Sequence, residues 1–316
     1  MEFHVFCNTV EEKVKDYFET RGEEKQVRCQ EIMKNNSTKL VGITILDKAC
    51  NISPTIYLND LHEAYENGMR MEQVVDQVLS IYEKNKVDDP IDLDFFTQFD
   101  RVRDGIVYKL VHYEKNAELL ESVPHMRYLD LAVVFYYIVS QGEMGTGSIL
   151  IRQEHLNAWK ASREDVFCAA AKNTPRILSP EIKSMEEVLL EALLEKKKME
   201  PWNGELEMMI EDMKDREQEG MSNMYVLSNH NKMFGAACIL YRNVLKMFAD
   251  QLHHNLFVLP SSVHEVILIP TQQGDDPQIL AQMVKEVNGT QVKNEELLSD
   301  HVYYYDRATD EMHLCA

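Results

Sequence analysis

The sequence predicts an α+β protein of two mixed α/β domains, the C-terminal one a β-α-β-β-α-β sandwich of the split βαβ, ferredoxin-like type. Three observations support this class. Hydrophobic residues make up 45% of the 316 residues, which is enough to build two cores. Apolar residues recur at helical spacing in some windows and alternate as in strands in others. In the C-terminal third, the predicted elements follow the order strand, helix, strand, strand, helix, strand.

The N-terminal domain is predicted to span residues 1–177. Residues 9–20 form an amphipathic helix in this prediction, with its apolar residues on one face. Two extended runs, Val27–Met33 and Leu40–Leu46, flank a polar turn and predict a hairpin. A third extended run, residues 51–58, contains a proline that cannot donate to a ladder, so we expect a strand at a sheet edge.

Further elements complete the predicted N-terminal domain. Apolar residues at helical spacing predict helices over residues 71–82 and 92–121. The run Leu129–Val139 is apolar on both faces, as in a central strand. A glycine-containing hairpin loop then leads to a short strand and two helices, which are predicted over residues 148–151, 153–160 and 162–172. This loop lacks the Gly-Lys-Ser/Thr ending of a phosphate-binding loop.

Residues 178–220 are predicted to be an acidic, Met-rich helical connector. Met208, Met209 and Met213 stand among acidic residues, which is compatible with an adaptable binding face. We favour a linker or covering helix instead, because the preceding helix has a single apolar stripe. Residues 221–316 are predicted to form the C-terminal domain, with strands at Met224–Leu227, Leu256–Leu259, Val263–Ile269 and Val302–Tyr305 and helices at Phe234–Leu252 and Pro277–Val287.

The formal net charge of -20 restricts the partners that we expect. A field of this sign repels nucleic-acid phosphates and anionic lipid headgroups. The sequence therefore predicts no nucleic-acid binding by direct phosphate contact and no membrane association. It leaves open solubility alone or contact with a basic protein partner, of which mimicry of DNA is one form.

The sequence predicts a cytoplasmic protein. The N-terminus lacks the basic and apolar regions of a signal peptide. The longest apolar run is interrupted by Asp130 and is shorter than the roughly 20 residues that span a bilayer. The six cysteines are scattered, without a CxxC motif, which is typical of reduced thiols.

Five residues are candidates for a catalytic site because they bring chemistry to strands that otherwise look buried: Ser262, His264, Glu265, Asp300 and His301. Ser262 and His264 share one face of a strand, so they could act as nucleophile and base with a nearby carboxylate. The alternative is that these polar groups are structural and hydrogen-bonded near a sheet end.

We predict neither a metal nor a cofactor. The possible ligands lack the i, i+4 pairing of a metalloprotease helix; they are His253, His254, His264, Glu265 and His301. Tyr303, Tyr304 and Tyr305 suggest a stacking platform, but the acidic residues around them favour ordinary strand packing.

Several motifs resemble those of an uncharacterised bacterial family, a domain of unknown function from anaerobic Gram-positive bacteria. The residues that carry this resemblance are Asn35–Ile45, Asn51–Asn59 and Tyr65–Gly68 in the N-terminal part, and Tyr225–Asn229, Leu259–Val266 and Leu298–Arg307 in the C-terminal part. The resemblance covers nearly the whole chain. It implies a bacterial cytoplasmic protein and supplies no activity, cofactor or catalytic residue.

The function predicted from the sequence is that of a non-catalytic cytoplasmic binding or accessory protein with an acidic surface. This prediction depends on the net charge and on the lack of a recognisable catalytic or metal motif. The alternative is a hydrolase that uses His264 with Ser262 and a nearby carboxylate.

Overall fold

The computed structural model describes residues 1–47, 53–86, 94–142, 145–200, 202–219, 223–272 and 275–315. Helices are combined with three sheets in these residues, and the strand pairings described in them are antiparallel. The predicted α+β class is therefore confirmed.

The chain forms two compact units. The first comprises Met1–Arg101 with Ile138–Ile149, and the second comprises Val102–Tyr137 with Leu150–Ala316. The predicted division into an N-terminal domain (1–177), a helical connector (178–220) and a C-terminal domain (221–316) stays a prediction.

The first unit holds a sheet of order β1-β2-β3 and helices whose apolar faces are buried. The predicted hairpin is confirmed, since Ile32 is the register partner of Leu40. The predicted edge strand is confirmed where it is described, whereas residues 51 and 52 lie outside the described residues. The elements are α1 (Phe3–Thr20), β1 (Lys25–Met33), β2 (Lys39–Asp47), β3 (Thr55–Tyr57), α2 (Asn59–Glu66) and α3 (Met71–Asn85).

The predicted helix over residues 92–121 is wrong in its described part. A short helix, α4 (Phe99–Val102), leads instead to strand β4 (Ile106–His112), and α5 (Ala117–Ser122) follows. Each residue of β4 except Lys109 is buried. A strand that is buried on both faces carries apolar residues at nearly every position. Some of these residues are then also three or four positions apart by chance, which imitates the pattern of a helix.

Strand β4 belongs to a sheet whose central strand was predicted correctly. The apolar run Leu129–Val139 corresponds to β6, which pairs with β4 and with β5 on its two sides. Residues 143 and 144 of the predicted glycine loop lie outside the described residues. The strands and the two helices that follow are β5 (His125–Tyr128), β6 (Leu131–Gly142), β7 (Gly145–Leu150), α6 (Gln153–Trp159) and α7 (Arg163–Ile177).

The predicted helical connector contains two helices and, in addition, a strand that was not predicted from the sequence. The strand is β8 (Pro180–Ser184), and the helices are α8 (Met185–Met199) and α9 (Gly204–Glu219). Ser184 caps α8, because its hydroxyl accepts a hydrogen bond from the Glu187 backbone N–H at 3.1 Å. Met208 and Met209 are exposed, whereas Leu206 and Ile210 are buried.

The largest sheet lies in the second unit and has the order β13-β12-β10-β11-β9-β8. Its strands and helices occur in the predicted β-α-β-β-α-β order, extended by β8 before them and β13 after them. They are β9 (Tyr225–Asn229), α10 (Val244–Leu252), β10 (Leu256–Leu259), β11 (Val266–Pro270), α11 (Pro277–Thr290), β12 (Tyr303–Asp306) and β13 (Glu311–Leu314).

The ferredoxin-like detail of the prediction is not confirmed. Both crossovers are split, because β11 lies between β9 and β10, and β10 lies between β11 and β12. In a ferredoxin-like sheet the fourth strand pairs with the first, but here β12 pairs with β10. The outer edge of β9 is occupied by β8, so β12 has only the opposite edge to join.

Candidate functional site

The structure does not bring the side chains of Ser262 and His264 into a nucleophile–base pair. The Ser262 hydroxyl accepts a hydrogen bond from the His264 backbone N–H at 3.0 Å. The Nδ1 atom of His264 is buried and has no hydrogen-bond partner among the described residues. Because a base must contact the proton that it removes, the hydrolase alternative is not supported.

Ser262 instead forms an isolated bridge just before the large sheet, and His264 lies between this bridge and β11. Ser262 pairs with Leu297, and the Val263 N–H donates to the Glu296 carbonyl at 2.8 Å. The predicted strand Val263–Ile269 accordingly begins as β11 only at Val266. The structural role that was left open for these residues is the one that their hydrogen bonds support.

Asp300 and His301 lie in a polar region around the carboxylate of Asp130, whose side chain is only 16% exposed. We call Asp130, Ser299, His301 and Tyr303 the Asp130 cluster. The Ser299 hydroxyl donates to Asp130 Oδ2 at 2.6 Å, and His301 Nδ1 contacts the same oxygen at 3.0 Å. The Tyr303 hydroxyl donates to the other carboxylate oxygen. Three side chains from one end of the chain thus converge on a residue far earlier in the sequence.

The Asp130 carboxylate is held in its ionised form. Burial alone would raise its pKa, but the hydrogen bonds from Ser299, Tyr303 and His301 outweigh that effect and lower the pKa below its usual value. The pKa of the Tyr303 hydroxyl is raised, first by burial and then by the nearby Asp130 charge. Tyr303 therefore remains a neutral donor, and Asp130 a charged acceptor.

The geometry of the Asp130 cluster favours a structural role over catalysis. His301 has a carboxylate on Nδ1, as a general base often does, and its side chain is 42% exposed. Ser299, however, is fully buried and directs its proton to Asp130 rather than to the imidazole. A hydroxyl in that position cannot reach a substrate.

Asp300 belongs to a second set of contacts beside the Asp130 cluster. Its carboxylate accepts a hydrogen bond from Asn288 Nδ2 at 2.8 Å and contacts Lys115 Nζ at 3.4 Å. Burial would raise the pKa of Asp300, but Asn288 and Lys115 lower it. His112, which is buried nearby, has a lowered pKa because of burial and the adjacent Lys115 charge. Through these contacts, the segment before β12 is bound to α11 and to the turn that follows β4.

We expect the stabilisation from Asp130 to disappear in acid. The carboxylate has a lower pKa in the folded chain than the value of about 3.9 in an unfolded chain. Its contribution is therefore fully present above the unfolded pKa and is lost as the pH falls through the folded pKa. The difference in unfolding free energy between wild type and Asp130→Asn should shrink below about pH 4, as measured by urea unfolding from pH 7 to pH 3. A difference that stays constant down to pH 3 contradicts this prediction.

Glu265 is separated from the other candidates and lines a cavity of about 370 Å³. Lys183 lies in the same lining and is already bound by Glu191 at 2.6 Å and Glu181 at 3.2 Å. Three carboxylates and two ammonium groups share this cavity, so it does not favour a ligand of either charge. The five candidates from the sequence thus occupy three separate places in the second unit.

A larger cavity of about 680 Å³ has a very different lining. We call it the cation-lined cavity, because the cationic residues Lys172 and Arg242 line it and none of its described lining residues is acidic. Four aromatic rings and several apolar side chains form the rest. The charged and aromatic residues are Arg127, Lys172, Arg242, Tyr108, Tyr128, Phe167 and Tyr241.

Elements distant in sequence bring these residues together. Tyr108 comes from β4, Arg127 and Tyr128 come from β5, and Lys172 from α7, while Tyr241 precedes α10. The Tyr241 hydroxyl donates to the Leu178 carbonyl at 3.0 Å. This site could not be predicted from the sequence, because no motif links these positions and each residue is typical of an ordinary core or surface when taken alone.

The described part of the chain lacks a helix that could span a membrane and a cluster that could bind a metal. No helix in it is long and apolar enough to cross a membrane. No group of three or more His, Cys, Asp or Glu residues in it is arranged to hold a metal ion. The cysteines that it contains are free, and they are Cys7, Cys29, Cys168, Cys238 and Cys315.

The fold and the cavity define an α+β protein with a pocket of a size that suits a small molecule. The chain belongs to a family of unknown function, DUF5688, whose model matches residues 3–307. This match confirms the resemblance to a family of unknown function. No curated protein and no solved structure matches the chain significantly.

Proposed function

We propose that this protein binds, without chemical conversion, a small organic anion that carries an apolar group. The observation that supports the proposal most strongly is the charge of the cation-lined cavity. The chain has 53 acidic and 33 basic residues, yet Lys172, Arg242 and no acid are found among the described lining residues. A concave site with the opposite sign to the rest of the protein attracts anions selectively.

Lys172 and Arg242 are the cations of the cavity that are available to a ligand. None of Arg127, Lys172 and Arg242 forms an ion pair with a carboxylate in the residues that the structure describes. Arg127 is already engaged on the opposite face of β5 from Met126 and Tyr128, because its guanidinium lies over the Tyr113 ring at 4.6 Å and donates to the Leu129 carbonyl at 3.1 Å. Guanidinium and ammonium groups are the usual partners of carboxylates, sulfonates and phosphates.

The aromatic part of the lining is held rigidly before a ligand arrives. Tyr108 and Tyr241 are both buried, and their rings meet edge to face at 6.1 Å. The hydrogen bond from the Tyr241 hydroxyl to Leu178 fixes that ring further. Rings that do not have to be ordered on binding give more of their contact energy to the complex. This favours a ligand with an apolar part.

The cellular setting that fits this function is the bacterial cytoplasm. A net charge of -20 supports a basic protein partner for the outer surface and disfavours direct contact with nucleic-acid phosphate or with an anionic membrane. A gel-shift assay at low salt tests the exclusion of nucleic acid, since electrostatic binding is strongest there. Tight binding of duplex DNA in that assay overturns this part of the proposal.

The anion site is tested with 1-anilinonaphthalene-8-sulfonate as a fluorescent probe. We expect the double variant Lys172→Gln, Arg242→Gln to bind the probe at least about tenfold more weakly, since a charged hydrogen bond contributes about 1.5–3 kcal/mol. Both side chains are exposed, so the fold should tolerate the changes. The affinity of the double variant for N-phenyl-1-naphthylamine, which lacks the sulfonate, should fall by less than about twofold, because this probe makes no charged contact.

The matched control is Lys285→Gln, which removes an exposed helical lysine outside the cavity. It should leave the affinity for both probes unchanged. Near-UV circular dichroism of each variant verifies the fold. The proposal fails if the double variant and the control bind the sulfonate equally well, or if the neutral probe is lost in parallel with the anionic one.

A further inference from the structure

An apolar groove adjoins the cation-lined cavity. It has a volume of about 530 Å³, and its polar lining consists of Ser184, Glu187 and Gln251. The apolar residues, which are the majority, are Pro180, Ile182, Tyr225, Val244, Met247 and Phe248. Pro180 and Val244 also line the cation-lined cavity, so the two spaces meet at these residues. A ligand whose charged end lies among the cations of the cavity can therefore place an apolar group in the groove, beyond Pro180 and Val244.

One face of α10 forms the length of the groove. Val244, Met247, Phe248 and Gln251 follow the i, i+3, i+4, i+7 spacing of a single helical stripe. Seven residues of helix extend over about 10 Å, because each residue rises 1.5 Å. A zigzag alkyl chain of roughly eight carbons covers that distance, given C–C bonds near 1.5 Å.

Met247 stands at the open side of the groove with 71% of its surface exposed. Methionine side chains are flexible and adapt to apolar partners of different shape. Phe248, in contrast, is buried and packs edge to face on Tyr225 with ring centroids 4.9 Å apart. The groove thus combines a fixed aromatic floor with one adaptable side chain.

From these contacts we propose that the ligand is a monomeric amphiphile, with an anionic head among Lys172 and Arg242 and an apolar chain of about eight carbons along α10. This inference rests on the proposed anion site and adds the chemical class of the ligand. The acidic surface favours a single amphiphile in solution over an anionic lipid bilayer, which the net charge of -20 repels.

The test is displacement of bound 1-anilinonaphthalene-8-sulfonate by straight-chain carboxylates from acetate to decanoate. Each added CH₂ should strengthen displacement roughly threefold to fourfold, because buried methylene groups contribute about equally. The increase should level off near octanoate, where the chain reaches the end of the groove. Affinity that does not change with chain length overturns the inference.

The variant Met247→Asp places a charge in the groove without opening the core. It should weaken the binding of octanoate at least about tenfold and leave the binding of acetate unchanged, because only the longer chain passes this residue. The control is Met283→Asp, a change of an exposed helical methionine outside the groove that should leave both affinities unaltered. Equal loss of acetate and octanoate in Met247→Asp contradicts the proposed position of the chain.

The outcomes separate this inference from the anion site on which it rests. If removal of Lys172 and Arg242 weakens the sulfonate probe but chain length has no effect, the anion site stands and the amphiphile is rejected. If the two cations prove irrelevant to every probe, the proposed function itself is wrong. Sedimentation with vesicles of equal parts phosphatidylcholine and phosphatidylglycerol should leave the protein in the supernatant, and pelleting overturns the choice of a monomeric ligand.

Discussion

Replacement of Asp130 by alanine is expected to lower the free energy of unfolding by about 3 kcal/mol, because it leaves buried donors without an acceptor. Ser299 and Tyr303 are fully buried and both donate to this carboxylate. An unsatisfied buried donor costs about 1–3 kcal/mol, and partial reorientation of the two hydroxyls recovers some of that amount. The loss therefore falls well above that of a typical surface change.

Urea unfolding followed by tryptophan fluorescence measures this effect. Both tryptophans of the chain, Trp159 and Trp202, belong to the second unit, and Trp159 is buried. The signal therefore reports on the unit that contains Asp130. The control is Asp250→Ala, which removes an exposed carboxylate paired with Lys246 and should shift the midpoint far less. Equal midpoints for the two variants contradict a structural role for the Asp130 cluster.

The second large effect is expected at Gly235, where a side chain has no space. A Cβ atom at this position would lie 2.2 Å from the His264 carbonyl oxygen, 2.2 Å from Ser228 Oγ and 2.9 Å from Ser228 Cα. Two of these three atoms belong to the backbone, so rotation of the serine side chain cannot relieve the overlap. We expect Gly235→Ala to destabilise the protein by roughly 3 kcal/mol, at the upper end of the range for overpacking.

The same overlap would break a hydrogen bond between two segments of the large sheet. The Ser228 hydroxyl donates to the His264 carbonyl at 2.8 Å, beside the position that the new methyl group would take. Gly289→Ala is the matched control, because a methyl group at this helical position would have no atom within 4 Å. That variant should be neutral or more stable by up to about 1 kcal/mol, owing to the better helix propensity of alanine. If Gly235→Ala proves as stable as Gly289→Ala, the close contact at Gly235 is absent in solution.

The parts of the fold that could be predicted are those whose signal is local. The β1–β2 hairpin and the buried strand β6 were predicted because each is encoded by one contiguous pattern of residues. Strand β8 was missed, because its five residues are all half-buried and show no alternation. Its pairing with β9 is decided by the sheet rather than by its own sequence. The strand order was missed for the same reason.

The candidate functional site could also be predicted only in part from the sequence. Asp300 and His301 were named as candidates for a catalytic site, but the acceptor at the centre of the Asp130 cluster was not among the candidates. Asp130 was noticed only as the charge that interrupts the longest apolar run. That position was itself a signal, since a charge beside a buried strand needs donors from elsewhere. The identity of those donors depends on contacts across 169 residues of chain, between Asp130 and Ser299, which local spacing does not encode.

The sequence distance within the Asp130 cluster has a consequence during synthesis on the ribosome. Asp130 precedes Ser299 by 169 residues, and its other two donors come later still. At about 5–20 residues per second, the carboxylate waits on the order of ten to thirty seconds before a donor has been translated. Until then β6 and its neighbours lack the contacts that compensate a largely buried charge. The second unit is thus expected to complete its folding only after translation has nearly finished, and nascent chains that stall before residue 299 should depend on chaperones.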